Sequence, residues 1–454
     1  MYGFQSARVV WEELVATLRS ARILYIIATT FHLPPRAINT LRQALELYHQ
    51  SLESTTATLR RIDAGYNLAV GLAQLADWTE EGFGEGDEAE VRRTREKAVG
   101  LLMDVATAQE AYLATNQEED GEGDIGEVAD GADEESDDGA TTYEEHVPTT
   151  SALVETLFEI VDITTSIWAA LASLDSLPPQ MTPHAMDQLL QRSLQLAEST
   201  GDVSLARMAH IKRLEVALIL IKFSETDISA LVDQIKAVWQ AATAKDSKVD
   251  DETRIACAEV LINASTYLAY RATDAQQSWQ HLSSATQVAT MSLEIPAKLT
   301  VAPLWNASTL FDLATLSLRR ALVCAAFSGL CNRQSKRQAA DSRTRRSSGL
   351  EAALLTTGLP PVTGWDRESL ARTTVLTLFR TLYHQASLLS DASAQTKAET
   401  LLTRLRDLRR TEAQERSLTS RDVQRFVEML EDDEGQMHVG ERQFWKDFVQ
   451  KLEA

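Results

Sequence analysis

The stretch that decides the fold is residues 66–78, which read YNLAVGLAQLADW. Its apolar and small residues recur every three to four positions, the spacing that places them on one face of an α-helix. Small residues on such a face let a second helix approach closely, while the aromatic side chains fill the gap between the two. We therefore predict a helix that packs closely against antiparallel neighbours. The side chains expected to be buried between the helices are Leu68, Ala69, Leu72 and Leu75, together with Tyr48 and Leu52 of the preceding helix.

A second stretch lies just upstream, at residues 44–53, which read ALELYHQSLE. It has a small residue, an aromatic residue four positions later, and a small residue and a leucine three and four positions after that. Residues 66–78 resemble the first helix of a tetratricopeptide repeat (TPR), and residues 44–53 resemble the second helix of the preceding repeat. The resemblance implies an all-α fold, a TPR-like right-handed solenoid of antiparallel helix pairs whose concave face binds other proteins.

The resemblance also suggests which residues would meet a partner. Tyr66, Val70, Ala73 and Gln74 match the partner-facing side of the repeat's first helix, so we expect them to line the binding surface.

Some members of the family bind chaperone C-termini through a two-carboxylate clamp, and Asn67 occupies one position of that clamp. The matching positions in the preceding repeat fall near Thr29 and Leu33, neither of which is the Lys, Asn or Arg from which the clamp is built. We therefore interpret Asn67 as a packing residue. The proline that usually ends the second helix is absent, and Thr55 and Thr56 stand there instead.

The charge of the chain limits its partners. Its 454 residues carry a formal net charge of -22, with a pI near 4.8. Such a charge disfavours binding to nucleic acid or to anionic membranes and favours a basic protein partner. The best candidate for a membrane span, residues 153–174, carries Glu155, Glu159 and Asp162, so we interpret it as an amphipathic helix.

Cysteine usage indicates a reducing compartment. Cys257, Cys324 and Cys331 are too few for a disulfide framework in a chain of this length. The apolar run at residues 23–28 resembles a signal-peptide core, but Glu12 and Glu13 lie where a basic leader would be. We therefore expect a cytoplasmic or nuclear protein, or one found in both compartments.

Shifts in composition divide the chain into six predicted segments. Residues 1–35 form either an atypical N-terminal helical cap or a mis-predicted start. The others are TPR-like repeats at 36–116, an acidic disordered insertion at 117–148, degenerate TPR-like repeats at 149–331, a basic disordered loop at 332–362, and C-terminal helical repeats with a cap at 363–454.

Apolar periodicity predicts the helices themselves, and a faint internal repeat supports a solenoid. Residues 261–266 and 304–309 match at five of six positions. The predicted helices lie near residues 36–54, 60–79, 91–116, 150–174, 183–199, 202–223, 226–244, 252–272, 274–292, 302–331, 366–390, 394–410, 419–432 and 440–452.

Two charged segments of the chain each allow more than one role. Residues 118–145 hold 14 acidic residues and no Lys or Arg, and we predict that they are disordered. They serve either as a solubilising linker or as an electrostatic cover for a basic client. The basic run between Arg333 and Arg346 is a solvated linker, a nuclear-import signal, or a segment that folds back on the acidic one.

No catalytic motif emerges from the sequence. We find no phosphate-binding glycine loop, nucleophile elbow or dinucleotide fingerprint, and no histidines with metal-ligand spacing. We therefore expect neither catalytic residues nor a cofactor nor a metal.

The resulting hypothesis is a non-catalytic adaptor or dedicated chaperone for a basic client. The combination of repeat and acidic insertion is similar to TPR-class assembly chaperones of ribosomal proteins. The alternative is a scaffold subunit of a multiprotein complex, with the acidic run as a spacer.

Overall fold

The computed structural model of the chain describes residues 15–32, 36–81, 86–119, 147–223, 228–244, 247–272, 275–292, 365–389, 392–409, 418–434, 437 and 440–453. Throughout these ranges the regular elements are helices, and none is a strand. The all-α class is therefore confirmed.

The chain divides into two compact units. Unit 1 comprises Met1–Ala28 and Arg36–Arg213, and unit 2 comprises Thr29–Pro35 and Leu214–Ala454. The division falls within the predicted helix 202–223, where the sequence showed no boundary.

Unit 1 is a series of consecutive helices. Helix α1 spans residues 15–26 and continues into a π-helical turn, Ile27–Phe31. From α2 to α6, each helix packs against the next one in the chain, as in a helical-repeat solenoid. The helices are α2 (Arg36–Ser54), α3 (Thr58–Glu80), α4 (Glu88–Glu119), α5 (Thr150–Ala169), α6 (Pro183–Thr200) and α7 (Val203–Leu220), the last of which crosses into unit 2.

Helix α3 approaches its neighbours closely because glycines face them. A Cβ atom on Gly71 would lie 2.6 Å from Leu45 Cδ2 of α2, and one on Gly65 would lie 2.9 Å from Val105 Cγ2 of α4. Both distances are shorter than a normal contact between carbon atoms, so a larger residue at either position would have to displace the neighbouring side chain. Helix α3 is therefore packed between α2 and α4.

The packing prediction for the repeat is confirmed in part. Leu68, Ala69 and Tyr48 are buried as expected. Leu52, Leu72 and Leu75 were expected to be buried but are only half-buried. Gly65 and Gly71 are themselves buried, so the buried residues of α3 include these glycines while the three leucines stay partly accessible.

Helix α5 is shorter than the sequence predicts. It ends at Ala169 rather than near residue 174, and the next α-helix begins only at Pro183. Trp168, which is fully buried, donates a hydrogen bond of 2.9 Å from Nε1 to the main-chain oxygen of Met181. This bond ties the connecting segment to the end of α5. Thr182 caps α6, and Gly201, with φ of 70°, ends it.

Unit 2 holds the remaining helices of the described chain. Helices α8 and α10 both pack against α9, and α11 packs against α12. Their bounds are α8 (Ile228–Ala242), α9 (Asp251–Arg271), α10 (Ala275–Ser292), α11 (Trp365–Leu389), α12 (Ala392–Arg409), α13 (Ser420–Glu434) and α14 (Glu441–Glu453).

Helices α11, α13 and α14 share an aromatic core. Phe379 and Phe448 meet edge to face, with ring centroids 4.6 Å apart, and Tyr383 stacks on Phe444 at 4.4 Å. Phe379 and Phe448 are almost completely buried. This core holds the C-terminal helix against α11.

Several sequence predictions fall outside the described residues. These are most of the acidic insertion, the helix at 302–331 and the basic loop at 332–362, together with Cys324 and Cys331. At the edge of the acidic insertion, α4 extends through Glu119, so residues 117–119 are helical rather than disordered. The domain boundaries, the repeat count and the handedness of the superhelix stay predictions.

Candidate protein-binding face

The four residues predicted to meet a partner lie on one side of α3. Tyr66, Val70, Ala73 and Gln74 are spaced by three or four positions or are adjacent, and all four are half-buried. The opposite side carries buried residues of the helix–helix contacts, among them Leu68. The four side chains therefore share a surface that the neighbouring helices leave partly open.

Carboxylates of α5 lie close to this surface. The pKa of Tyr66 is raised to about 12, first by burial and then by the negative charges of Glu159 and Glu155, with a smaller contribution from Tyr25 of α1. A charge can act on the phenol in this way only over a short distance. The sequence did not assign either glutamate to the site.

Glu159 is a half-buried carboxylate in acidic surroundings. Burial raises its pKa, and so do the carboxylates of Asp162, Asp77 and Glu155, while the ammonium of Lys212 lowers it. No salt bridge joins Glu159 to another residue in the described part of the chain. A carboxylate held in this way favours the approach of a positive charge.

We define the α3/α5 face by these side chains. From α3 it contains Tyr66, Val70, Ala73, Gln74 and Asp77, and from α5 it contains Glu155, Glu159 and Asp162.

Lys212 and Arg22 form ion pairs at the border of the face. Lys212 of α7 donates from Nζ to Asp162, with distances of 2.8 Å to Oδ1 and 2.9 Å to Oδ2. Arg22 of α1 donates from Nη2 to Oδ1 of Asp63 at 2.7 Å. Each pair neutralises one carboxylate near the face, and among the described residues neither cation forms a salt bridge with Glu159.

Asn67 has a structural role in this arrangement. Its Nδ2 donates to the main-chain oxygen of Asp63 at 2.8 Å and to Oδ1 of the same residue at 2.9 Å. These bonds engage its amide within α3 itself. The interpretation of Asn67 as a packing residue rather than part of a carboxylate clamp agrees with this geometry.

Asp77 links the face to the next helix. Arg95 of α4, only 5% exposed, donates to Asp77 Oδ1 at 2.7 Å and to both carboxylate oxygens of Glu80, at 3.2 and 2.6 Å. The guanidinium offers its donors in a rigid, planar array, which fixes the two carboxylates. Asp77 is thus held in place while half of its side chain stays accessible.

One further buried polar cluster lies in unit 2. Arg380 Nε donates to Glu441 Oε1 at 2.6 Å, and His384 Nε2 lies 3.1 Å from Glu441 Oε2. These side chains are at most 2% exposed. A partner or substrate has no access to them, so the cluster joins α14 to α11 and forms no binding site.

Within the described ranges, no group of three or more His, Cys, Asp or Glu side chains is placed to hold a metal ion. No helix among the described residues combines the length and apolar character needed to cross a membrane.

Comparisons with known proteins show no family for this chain. No protein-family model matches it, and no curated protein matches its sequence. Among solved structures, it is similar to a circular tandem repeat protein with novel repeat topology and enhanced subunit contact surfaces. That match has 13% sequence identity and a TM-score of 0.30, and it covers 98% of this chain and 94% of the other. A TM-score this low carries no argument about function.

Proposed function

We propose that this protein is a non-catalytic adaptor or dedicated chaperone of the TPR-like class that holds a basic client protein on the α3/α5 face. The observation that carries the proposal is the position of Glu159. It is a half-buried carboxylate among other acids, beside Tyr66, and without a salt bridge in the described chain.

The chemistry of the face suits a lysine or arginine side chain from a partner. A cation placed beside Glu159 relieves the repulsion among the acidic side chains and restores a charge pair where solvent is partly excluded. Tyr66 adds a large, half-buried aromatic surface of the kind that anchors protein interfaces. The uncharged Val70 and Ala73 extend the contact along α3.

The acidic insertion supports the same function from the sequence. A run of 14 acids without a compensating base attracts cationic surfaces and raises the rate of encounter. At physiological ionic strength the attraction reaches only about 8 Å, so the segment acts near the contact surface. A ribosomal protein is one client class with the required charge, and its handling would place this protein in the cytoplasm, the nucleus or both.

The alternative function is that of a scaffold subunit, with the acidic insertion as a spacer. Its supporting observation is that α4 and α5 pack against each other although about 30 residues separate them in sequence. Helices α4 and α5 therefore contact each other directly, and the charge of the insertion can be changed without altering any residue of these two helices.

The first experiment tests the face by mutation. We would isolate partners by affinity purification with mass spectrometry, then measure the binding kinetics of the purified partner. Tyr66→Ala should raise the dissociation rate, and Glu159→Gln should weaken binding of a basic partner. Glu198→Gln removes the same charge from an exposed position on α6 and should leave affinity unchanged.

The second experiment tests the acidic insertion. Because α4 runs to Glu119, the acids are neutralised to their amides only between residues 120 and 145, which keeps the length of the segment. Association with a basic client should slow severalfold at low salt, with a smaller difference at high salt. If Glu159→Gln and the neutralised segment both leave client binding untouched, or if the purified partners are neutral subunits, the scaffold function replaces the chaperone function.

A further inference from the structure

Lys212 occupies an unusual position at the edge of the α3/α5 face. From α7 its ammonium reaches the side chain of Asp162 on α5 and lies within hydrogen-bonding distance of both carboxylate oxygens, at 2.8 and 2.9 Å. The lysine side chain is 19% exposed and that of Asp162 is 43% exposed. The protein thus places a cation of its own where the acids of α5 are concentrated.

The charge of Lys212 also acts on Glu159. It is the cation whose ammonium lowers the pKa of Glu159, against the carboxylates that raise it. A partner's lysine that settled beside Glu159 would therefore enter the electrostatic field that Lys212 already occupies. The ammonium group of such a partner lysine and that of Lys212 would repel each other, so the two would compete for the same acids.

The ion pair between Arg22 and Asp63 differs from that between Lys212 and Asp162 in how its carboxylate is held. Asp63 is only 10% exposed and receives a hydrogen bond from Asn67 in addition to that from Arg22. That pair is fixed from two sides. Lys212 carries a compact charge on a flexible four-carbon chain, so its ammonium can move away from Asp162 while its helix stays in place.

We infer that Lys212 is an internal competitor of the client, which neutralises the α5 acids in the free protein and is displaced from Asp162 when a basic client binds. The inference rests on the proposed function. It assigns Lys212 a regulatory role, because the affinity of the face for cations is set by how firmly this lysine holds Asp162.

The test uses the full-length protein and an oligolysine peptide as the probe. Lys212→Met keeps most of the aliphatic chain and removes the charge. It should bind the peptide roughly two- to fivefold more tightly at low salt, the range expected from a partly exposed ion pair. The gain should vanish at high salt, where screening acts over about 3 Å. Lys212→Arg, which keeps the charge and offers a planar pair of donors to Asp162, should bind the peptide no more tightly than the wild type.

The adjacent residue supplies a matched control. Arg213 lies next in sequence but pairs with Asp187 of α6 at 3.1 Å, so Arg213→Met makes the same change in net charge away from the contact with Asp162. It should leave the affinity unchanged. An equal gain in both variants would show a general charge effect and would overturn the inference.

The outcomes separate the inference from the function on which it rests. If the wild type binds oligolysine and Lys212→Met binds it no better, the inference fails and the proposed function stands. If neither protein binds the peptide, the proposed function fails, and the inference with it. Circular dichroism of each variant would check that its helices are intact.

Discussion

Replacing Gly71 by alanine measures how closely α3 approaches α2. The added methyl group would lie 2.6 Å from Leu45 Cδ2 and 3.7 Å from Tyr25 Cε2. Carbon atoms that are not bonded prefer separations of about 3.5–4.0 Å. Leu45 is itself 7% exposed, so it has little room to move away.

The expected magnitude is the sum of two opposing effects. Alanine in place of glycine stabilises a helix by about 0.8–1.0 kcal/mol, whereas overpacking a well-packed core costs about 1–3 kcal/mol. Gly71→Ala should therefore be neutral or destabilising, by up to about 2 kcal/mol. A Cβ atom on Gly100 in α4 would have no atom of a neighbouring side chain or helix within 4 Å, so Gly100→Ala should show the helix gain alone.

Thermal unfolding followed by circular dichroism distinguishes the two variants. In a unit of this size each kcal/mol shifts the Tm by about 2–4 °C. Gly100→Ala should melt a few degrees above the wild type, and Gly71→Ala at or below it. If Gly71→Ala gains as much stability as Gly100→Ala, α3 does not approach α2 as closely as described.

Two further predictions concern buried polar contacts. Trp168→Phe removes the indole donor from the main-chain oxygen of Met181 and should destabilise unit 1 by about 1–3 kcal/mol, seen in chemical denaturation; no change would mean that the bond does not hold the segment after α5. Glu441→Gln removes the negative charge from the buried ion pair with Arg380 and should cost about 3–5 kcal/mol. Burial raises the pKa of Glu441, but interactions with His384 and Arg380 outweigh it and lower the folded-state pKa from 4.5 to about 2. The stabilisation that the Glu441 carboxylate provides is therefore fully present above pH 4.5 and is lost as the pH falls through about 2. The wild type and the variant should therefore converge in acid, and a constant difference would contradict the assignment.

The helices could be predicted from sequence because their signals are local. The predicted helix 36–54 agrees with α2, Arg36–Ser54, and the predicted helix 60–79 lies within α3, Thr58–Glu80. Apolar spacing and chain-breaking residues act over a few positions, which a single sequence displays. The end of α5 could not be predicted in this way, since the bond from Trp168 to Met181 joins residues 13 positions apart.

The candidate site, too, could be predicted from sequence only where the signal is local. Tyr66 and its neighbours on α3 follow from the resemblance of one helix to a known repeat. Glu159 was visible in the sequence only as a charge that argued against a membrane span. Its proximity to Tyr66 depends on how α5 packs, and the degenerate repeats give no register for that helix. Acids spaced by three or four positions on an otherwise apolar helix were the available signal.

The raised pKa of Glu159 has a consequence for how the protein would respond to its surroundings. A carboxylate that resists ionisation keeps a share of its proton at pH values where an ordinary glutamate has lost it. Any cation that settled beside it would expel that proton, so binding and proton release would be coupled. The affinity would then fall on acidification even if nothing on the partner titrates, and the heat of binding would depend on the buffer that accepts the proton.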